Sequence, residues 1–256
     1  MKKQNVRALS LFAIFYIGFG FFLFMNQERI VYQPFTQDFA TCTNFAAAEK
    51  VTANGTRMYV SQGDQPVIVL YHGNAGSACD RAFYAEIFTS AGYGYAIVEY
   101  AGYSNDPRQT THDLIKTDVQ NVISYFENEG REVYGVTGES IGTGPASYHA
   151  SLRAPEKLLL ITPFTNLRDL AQDRFWFYPT SLLVDNAFDN VKNLENYNGN
   201  VGIIHGRKDS VIPYSFSENL SKQIETEVTL FTIEQADHNN LFLYDETYQA
   251  INSFFE

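Results

Sequence analysis

Residues 132–153 open on Glu132-Val-Tyr-Gly-Val-Thr137, pass through Gly138-Glu139-Ser140-Ile141-Gly142, and continue as a helical pattern ending ASYHASLR at Arg153. An apolar run, a Gly-x-Ser-x-Gly turn and a helix-like stretch predict a strand, a sharp bend and a helix in immediate succession. The bend is so tight that Gly138 and Gly142 must carry little or no side chain. It pushes the Ser140 hydroxyl outward at the head of a helix, where the backbone N–H of Ile141 can face developing negative charge. The pentapeptide recurs by chance; the flanking strand and helix give it weight over an idle serine in a glycine-rich turn.

Similar apolar runs lie on both sides of this stretch. Val67–Tyr71, Tyr95–Tyr100, Lys157–Thr162, Val201–His205 and Val228–Ile233 are continuous apolar segments of five or six residues, as is expected of parallel strands covered on both faces. Helical patterns separate them at Asp80–Ala91, Thr110–Asn128, Ile141–Arg153, Ser215–Ile224 and Leu241–Phe255. The alternation predicts an α/β fold with a mostly parallel central sheet and helices on both faces. Reactive groups then collect at the carboxyl ends of the strands.

A serine hydroxyl needs a neighbouring base. Of five histidines, His72 ends a strand and shapes the following loop, and His112, near a helix start, is expected to be exposed. His149 lies on the helix after Ser140 and is expected to pack, while His205 ends a buried strand and is expected to bond neighbouring backbone. His238 stands in the polar loop Gln235–Asn240 after the final strand, where an imidazole can reach Ser140. The carboxylate that orients it is expected to be Asp209, after the strand and Gly turn of VGIIHGRKDSVIP. Asp237 is its rival, read as a loop or capping residue, and Asp169 a further alternative. The second oxyanion donor is expected from the loop His72-Gly73-Asn74-Ala75-Gly76, at the N–H of Asn74.

The segments HGNAGS, EYAGYSNDP, GESIGTG, ITPFTNLRDLA, IIHGRKDSVIP and ADHNNL occur in an order that resembles the α/β-hydrolase-domain proteins. Within them, the chain is similar to the single-pass, membrane-anchored group that includes protein depalmitoylases and lysophospholipid or monoacylglycerol lipases. The likeness covers roughly residues 28–256, including the lead-in ERIVYQP. It implies Ser140 as nucleophile, Asp209 as acid, His238 as base and the N–H groups of Asn74 and Ile141 as oxyanion hole, with no cofactor. Glu99 and Ala101 depart from the Asp and Arg often seen in a DxRGxG-type loop. A large cap would sit at residues 164–200; so short an insert implies a small flap, its aromatics Phe175–Tyr178 either walling an acyl-binding groove or packing in the core. The implied chemistry is serine hydrolysis of carboxylic esters or thioesters, with lipid-derived acyl groups among the expected substrates. The alternatives are acyl transfer by the same residues and a non-catalytic binding protein on a hydrolase scaffold.

Composition bounds the rest. At 45% hydrophobic and 18% charged, 256 residues suit one well-packed domain. A net charge of −11 leaves no electrostatic footprint for nucleic acid. Residues 8–25 carry no charge and follow Lys2, Lys3 and Arg7. About 18 residues span about 27 Å as a helix, enough for a bilayer core. The run exceeds a typical signal peptide and lacks a small-x-small cleavage site. A transmembrane signal-anchor over residues 1–27 is expected, with the N-terminus cytoplasmic and residues 28–256 exported. Cys42 and Cys79 would there be free to form one disulfide. No Cys/His cluster has metal-ligand spacing.

Overall fold

The computed structural model describes residues 2–45, 47–74, 76–185 and 188–256. Met1 of the expected basic tip, Ala75 of the loop 72–76, and Asn186 and Ala187 of the expected insert lie outside the described residues.

Eight strands form one sheet: β1 (Glu49–Ala53), β2 (Thr56–Val60), β3 (Val67–Tyr71), β4 (Gly94–Glu99), β5 (Val133–Glu139), β6 (Lys157–Ile161), β7 (Asn200–Gly206) and β8 (Val228–Ile233). Their order is β1-β2-β4-β3-β5-β6-β7-β8. β1 and β2 pair antiparallel, as do β2 and β4; every other pairing is parallel. This is the α/β-hydrolase fold. Alternate residues of β3 serve opposite faces. Val67, Val69 and Tyr71 pack with Val119 and Val122 of α4 (His112–Glu129) and Ala146 of α5 (Thr143–Leu152). Ile68 and Leu70 pack with Phe88 of α3 (Phe83–Ser90) and Ile251 and Phe255 of α10 (Asp245–Phe255).

Sequence reading missed the β1–β2 hairpin. Its turn is Asn54-Gly55, both at positive φ (50° and 87°), the Asn-Gly signature of a two-residue hairpin. β5 extends to Glu139 and so delivers Ser140 directly. His112, expected to be exposed, is only 3% exposed. Tyr32 covers it with a 2.6 Å hydrogen bond, and burial pushes its imidazole below the ordinary histidine value.

Between β6 and β7 the described residues form the short helices α6 (Leu167–Arg174), α7 (Thr180–Leu183) and α8 (Asn190–Asn193). Helix α9 (Ser215–Gln223) joins β7 to β8. At the N-terminus, α1 (Lys2–Met25) is followed by α2 (Gln27–Val31). Asn5–Met25 of α1 is long and apolar enough to cross a membrane. α1 touches the α6–α7 segment: the rings of Tyr16 and Tyr178 stack 4.5 Å apart. Tyr16 donates to the Phe177 carbonyl, and Tyr178 donates to that of Tyr16. Cys42 and Cys79 are joined as a disulfide, tying the segment after α2 to the short helix Ala78–Arg81.

Candidate active site

Parallel register aligns the carboxyl ends of the central strands. Tyr71 of β3 pairs with Gly138 of β5, Glu139 with Ile161 of β6, and His205 of β7 with Thr232 of β8. The loops after β3, β5, β7 and β8 therefore emerge along one edge.

Ser140 follows β5 at φ 53°, a left-handed conformation that is costly for a side-chain-bearing residue. The neighbouring glycines allow the bend. A Cβ on Gly142 would collide with the carbonyls of Tyr71 and His72, and one on Gly138 would lie 2.6 Å from the Gly142 carbonyl. Beyond the bend, Ser140–Gly142 form a short 3-10 turn leading into α5, which sets the Ile141 backbone at the head of that helix.

Three distant segments meet here. The Ser140 hydroxyl lies 3.0 Å from His238 Nε2, and His238 Nδ1 lies 2.7 Å from Asp209 Oδ2. The Asp209 side chain is fully buried; that of His238 is 11% exposed. Oδ1 of Asp209 accepts from the N–H groups of Val211 and Ile212 at 2.8 and 2.7 Å. Burial alone would raise the pKa of this carboxyl; hydrogen bonds from His205 and His238 outweigh it and hold the group well below the usual carboxylate range. A carboxylate can only accept, so Nδ1 of His238 carries the proton and Nε2 is left to accept from Ser140.

His205 makes one contact the sequence did not suggest. Its Nε2 lies 3.1 Å from Asp209 Oδ2 and 2.9 Å from the Ile212 carbonyl, both acceptors, so that nitrogen bears the proton. Nδ1 then accepts from Ser217 at 2.5 Å. Asp237 braces the His238 loop, accepting from the N–H groups of His238 and Ser210. Asp169 bonds Thr165 and Asn166 at the start of α6. His149 is buried against Tyr71, its pKa lowered by burial to about 3.

Other polar groups tie the loops together. Arg81 grips the Glu139 carboxylate, beside Ser140, with two hydrogen bonds of 2.8 and 3.0 Å. No sequence spacing pairs these two; they meet because the loop after β3 lies beside the bend after β5. Glu99 accepts from Ser104 and from the N–H of Ala78, and lies 3.3 Å from His72 Nε2. Ala101 is fully buried, and its N–H donates to Asp118.

The Asn74 side chain is occupied: Oδ1 accepts from the N–H of Gln33 and the hydroxyl of Tyr103, and Nδ2 donates to the Val31 carbonyl. Pro34 forms a bridge with Gly76. The lead-in after α2 thus straps the loop 72–76. Above Ser140 and His238 opens a cleft of about 670 Å³ with mostly apolar walls, among them Phe164, Leu170, Phe175 and Tyr178. Of the aromatic patch, Phe175 and Tyr178 face this cleft, while Trp176 and Phe177 are exposed. No cluster of His, Cys, Asp and Glu suited to a metal occurs among the described residues.

No family model matches the chain. It is 24% identical over 263 residues to an uncharacterized protein of Mycobacterium tuberculosis, covering 96% of this chain and 93% of that one. It is 25% identical to the lysophosphatidylserine lipase ABHD12 of Danio rerio over 62% of this chain, which spans about half (47%) of the lipase. Among solved structures, Est1E from Butyrivibrio proteoclasticus superposes with a TM-score of 0.65 at 17% identity, over 81% of this chain and 97% of that one. That likeness extends to the fold.

Proposed function

We propose that this protein is a membrane-anchored serine hydrolase that cleaves carboxylic esters or thioesters. The observation that carries the reading is the unbroken relay from Ser140 through His238 to a fully buried, ionised Asp209, at 3.0 and 2.7 Å. The lipase name of the ABHD12 relative supports ester hydrolysis in general.

His238 takes the Ser140 proton as the oxygen attacks the acyl carbonyl, and Asp209 stabilises the resulting imidazolium. The N–H groups of Asn74 and Ile141 receive the oxyanion. When the carbonyl re-forms, the bond to the leaving oxygen or sulfur breaks and His238 protonates it. Water, deprotonated by His238, then attacks the acyl-Ser140 ester, releasing a carboxylic acid and restoring the hydroxyl.

Residues 1–27 form the anchor, and 28–256 the hydrolase domain with residues 164–200 as a small cap. Lys2, Lys3 and Arg7 precede the span, which favours a cytoplasmic N-terminus and an exported domain. The Cys42–Cys79 bridge supports the same orientation, because disulfides persist in oxidising compartments. A fluorophosphonate probe should label the wild-type chain and fail to label Ser140→Ala. Folded wild type that takes up no probe would sink the proposal in favour of a non-catalytic scaffold.

A further inference from the structure

His72 follows β3 and Glu99 ends the neighbouring parallel strand β4. Both side chains are fully buried, with Glu99 Oε1 3.3 Å from His72 Nε2. Neither of these two atoms has another hydrogen-bond partner, and buried polar atoms are rarely left without one. The proton inventory decides what lies between them. Nδ1 of His72 is 2.7 Å from the Gly73 carbonyl, which can only accept, so Nδ1 carries a proton. Glu99 Oε2 accepts from the Ser104 hydroxyl at 2.6 Å and from the Ala78 N–H at 3.2 Å. Such donors favour the ionised carboxylate. A neutral ring would turn the bare lone pair of Nε2 on that carboxylate; a second proton there satisfies both atoms.

The surroundings suit a buried cation and its partner. The Tyr100 ring centroid lies 4.3 Å from that of His72, close enough to favour positive charge. Burial keeps the nearby phenols of Tyr59, Tyr100 and Tyr103 protonated. Glu139, on the other side of Gly73, is already taken by Arg81, and Arg57 binds the Tyr103 and Ser104 carbonyls. Glu99 is thus the carboxylate that faces the ring. Ser104 sits at φ 47°, costly for serine, where its hydroxyl reaches Glu99.

The Gly73 carbonyl and the Asn74 N–H belong to one peptide unit, planar and trans, so the two point in opposite directions. A carbonyl held toward His72 aims that N–H away from it. Asn74 lines the cleft with Ser140, and its N–H has no acceptor among the described residues. A cationic donor on the carbonyl also polarises the unit and strengthens the N–H at its other end. We infer that His72 and Glu99 are positioning residues of the oxyanion hole, a buried ion pair that aims the Asn74 N–H and raises its strength as a donor. This rests on the serine-hydrolase reading above, and gives a role to the glutamate that departs from the usual aspartate.

Glu99→Gln separates charge from packing. Its amide can donate to a neutral His72 ring while its carbonyl still accepts from Ser104 and Ala78, so a merely structural role leaves activity intact. With the full chain in phosphatidylcholine vesicles, the variant should lose about tenfold or more in kcat on p-nitrophenyl acetate, with KM unchanged. A smaller loss, or one confined to KM, overturns the proposal. Nitrogen NMR of the ¹⁵N-histidine-labelled wild type needs no variant. The other four histidines each have a hydroxyl from which one ring nitrogen can accept. At about pH 8, where an ordinary imidazole is neutral, one imidazolium and four neutral rings are expected, and five neutral rings overturn the proposal. Wild type without Ser140-dependent turnover would instead defeat the hydrolase reading, with the spectrum still deciding the charge of His72.

Discussion

Two buried aspartates, one at the edge of the sheet and one beneath it, receive opposite treatment. Asp209 sits among donors: two backbone N–H groups and the rings of His205 and His238. Its carboxyl is held ionised. Asp118 on α4 is 1% exposed and has the Thr56 hydroxyl on Oδ1 and the Ala101 N–H on Oδ2. Burial raises its pKa to about 6, against the lowering effect of those two bonds. Burial is common to both sites; the supply of donors decides the charge. Under the proposed hydrolase reading, a carboxylate that stabilises an imidazolium has to stay ionised, whereas a carboxyl that stitches α4 to β2 and the β4 loop has no such need.

The largest expected effect tests the first half of this contrast. Asp209→Asn should lower kcat on p-nitrophenyl acetate about 10⁴-fold, because an amide can select the wrong imidazole tautomer and cannot stabilise imidazolium. A loss of less than tenfold would remove Asp209 from the relay.

The two sites also differ in the sign of their pH dependence. Asp209, depressed, stabilises the fold above the ordinary carboxylate pKa, and that contribution is lost only as pH falls toward its folded value. Asp118, raised, binds its proton more tightly when folded, so stability declines as pH rises from about 4 to about 6. At about 1.36 kcal/mol per pKa unit, the decline amounts to about 3 kcal/mol. Denaturation of wild type and Asp118→Asn across this window should show the slope in the first and its absence in the second.

A smaller effect is expected from His205→Phe, which removes one donor to Asp209. A hydrogen bond to a charged group contributes about 1.5–3 kcal/mol, so this variant should be about 2 kcal/mol less stable at pH 7. Smallest is Thr56→Val: losing the hydroxyl, one of the two donors to the Asp118 carboxyl, should cost about 1 kcal/mol and move its titration further upward, measurable by NMR. A downward shift would reverse the donor argument.

What was legible in the sequence divides along the same physical line. Gly138, Ser140 and Gly142 stand out because a tight bend is a local constraint, written in adjacent residues. Asp209 and His238 could be proposed as partners because each follows an apolar strand, and parallel strands end on one edge. The hairpin at Asn54-Gly55 is marked by its turn pair, but its strands EKVTA and TRMYV mix polar with apolar residues and lack the long apolar runs of the central strands. The burial of His112 was not readable, because its cover, Tyr32, comes from 80 residues away. The contact of His205 with Asp209 is a side-chain matter inside a turn whose backbone alone was foreseeable. Nothing in the composition of α1 marks Tyr16 apart from its neighbours; its contact with Tyr178 appears only once the cap is beside it.

The strap formed by α2 and the residues just after it sets where this chain can be cut. Glu28 accepts from the N–H of His112, Val31 from Asn74, and Gln33 and Pro34 hold the loop 72–76. A shortened version beginning at Asn26 keeps every one of these ties and loses only the helix. Beginning nine or ten residues later, it would arrive with the loop 72–76 unsupported, and a lack of activity would say nothing about the proposed hydrolase chemistry.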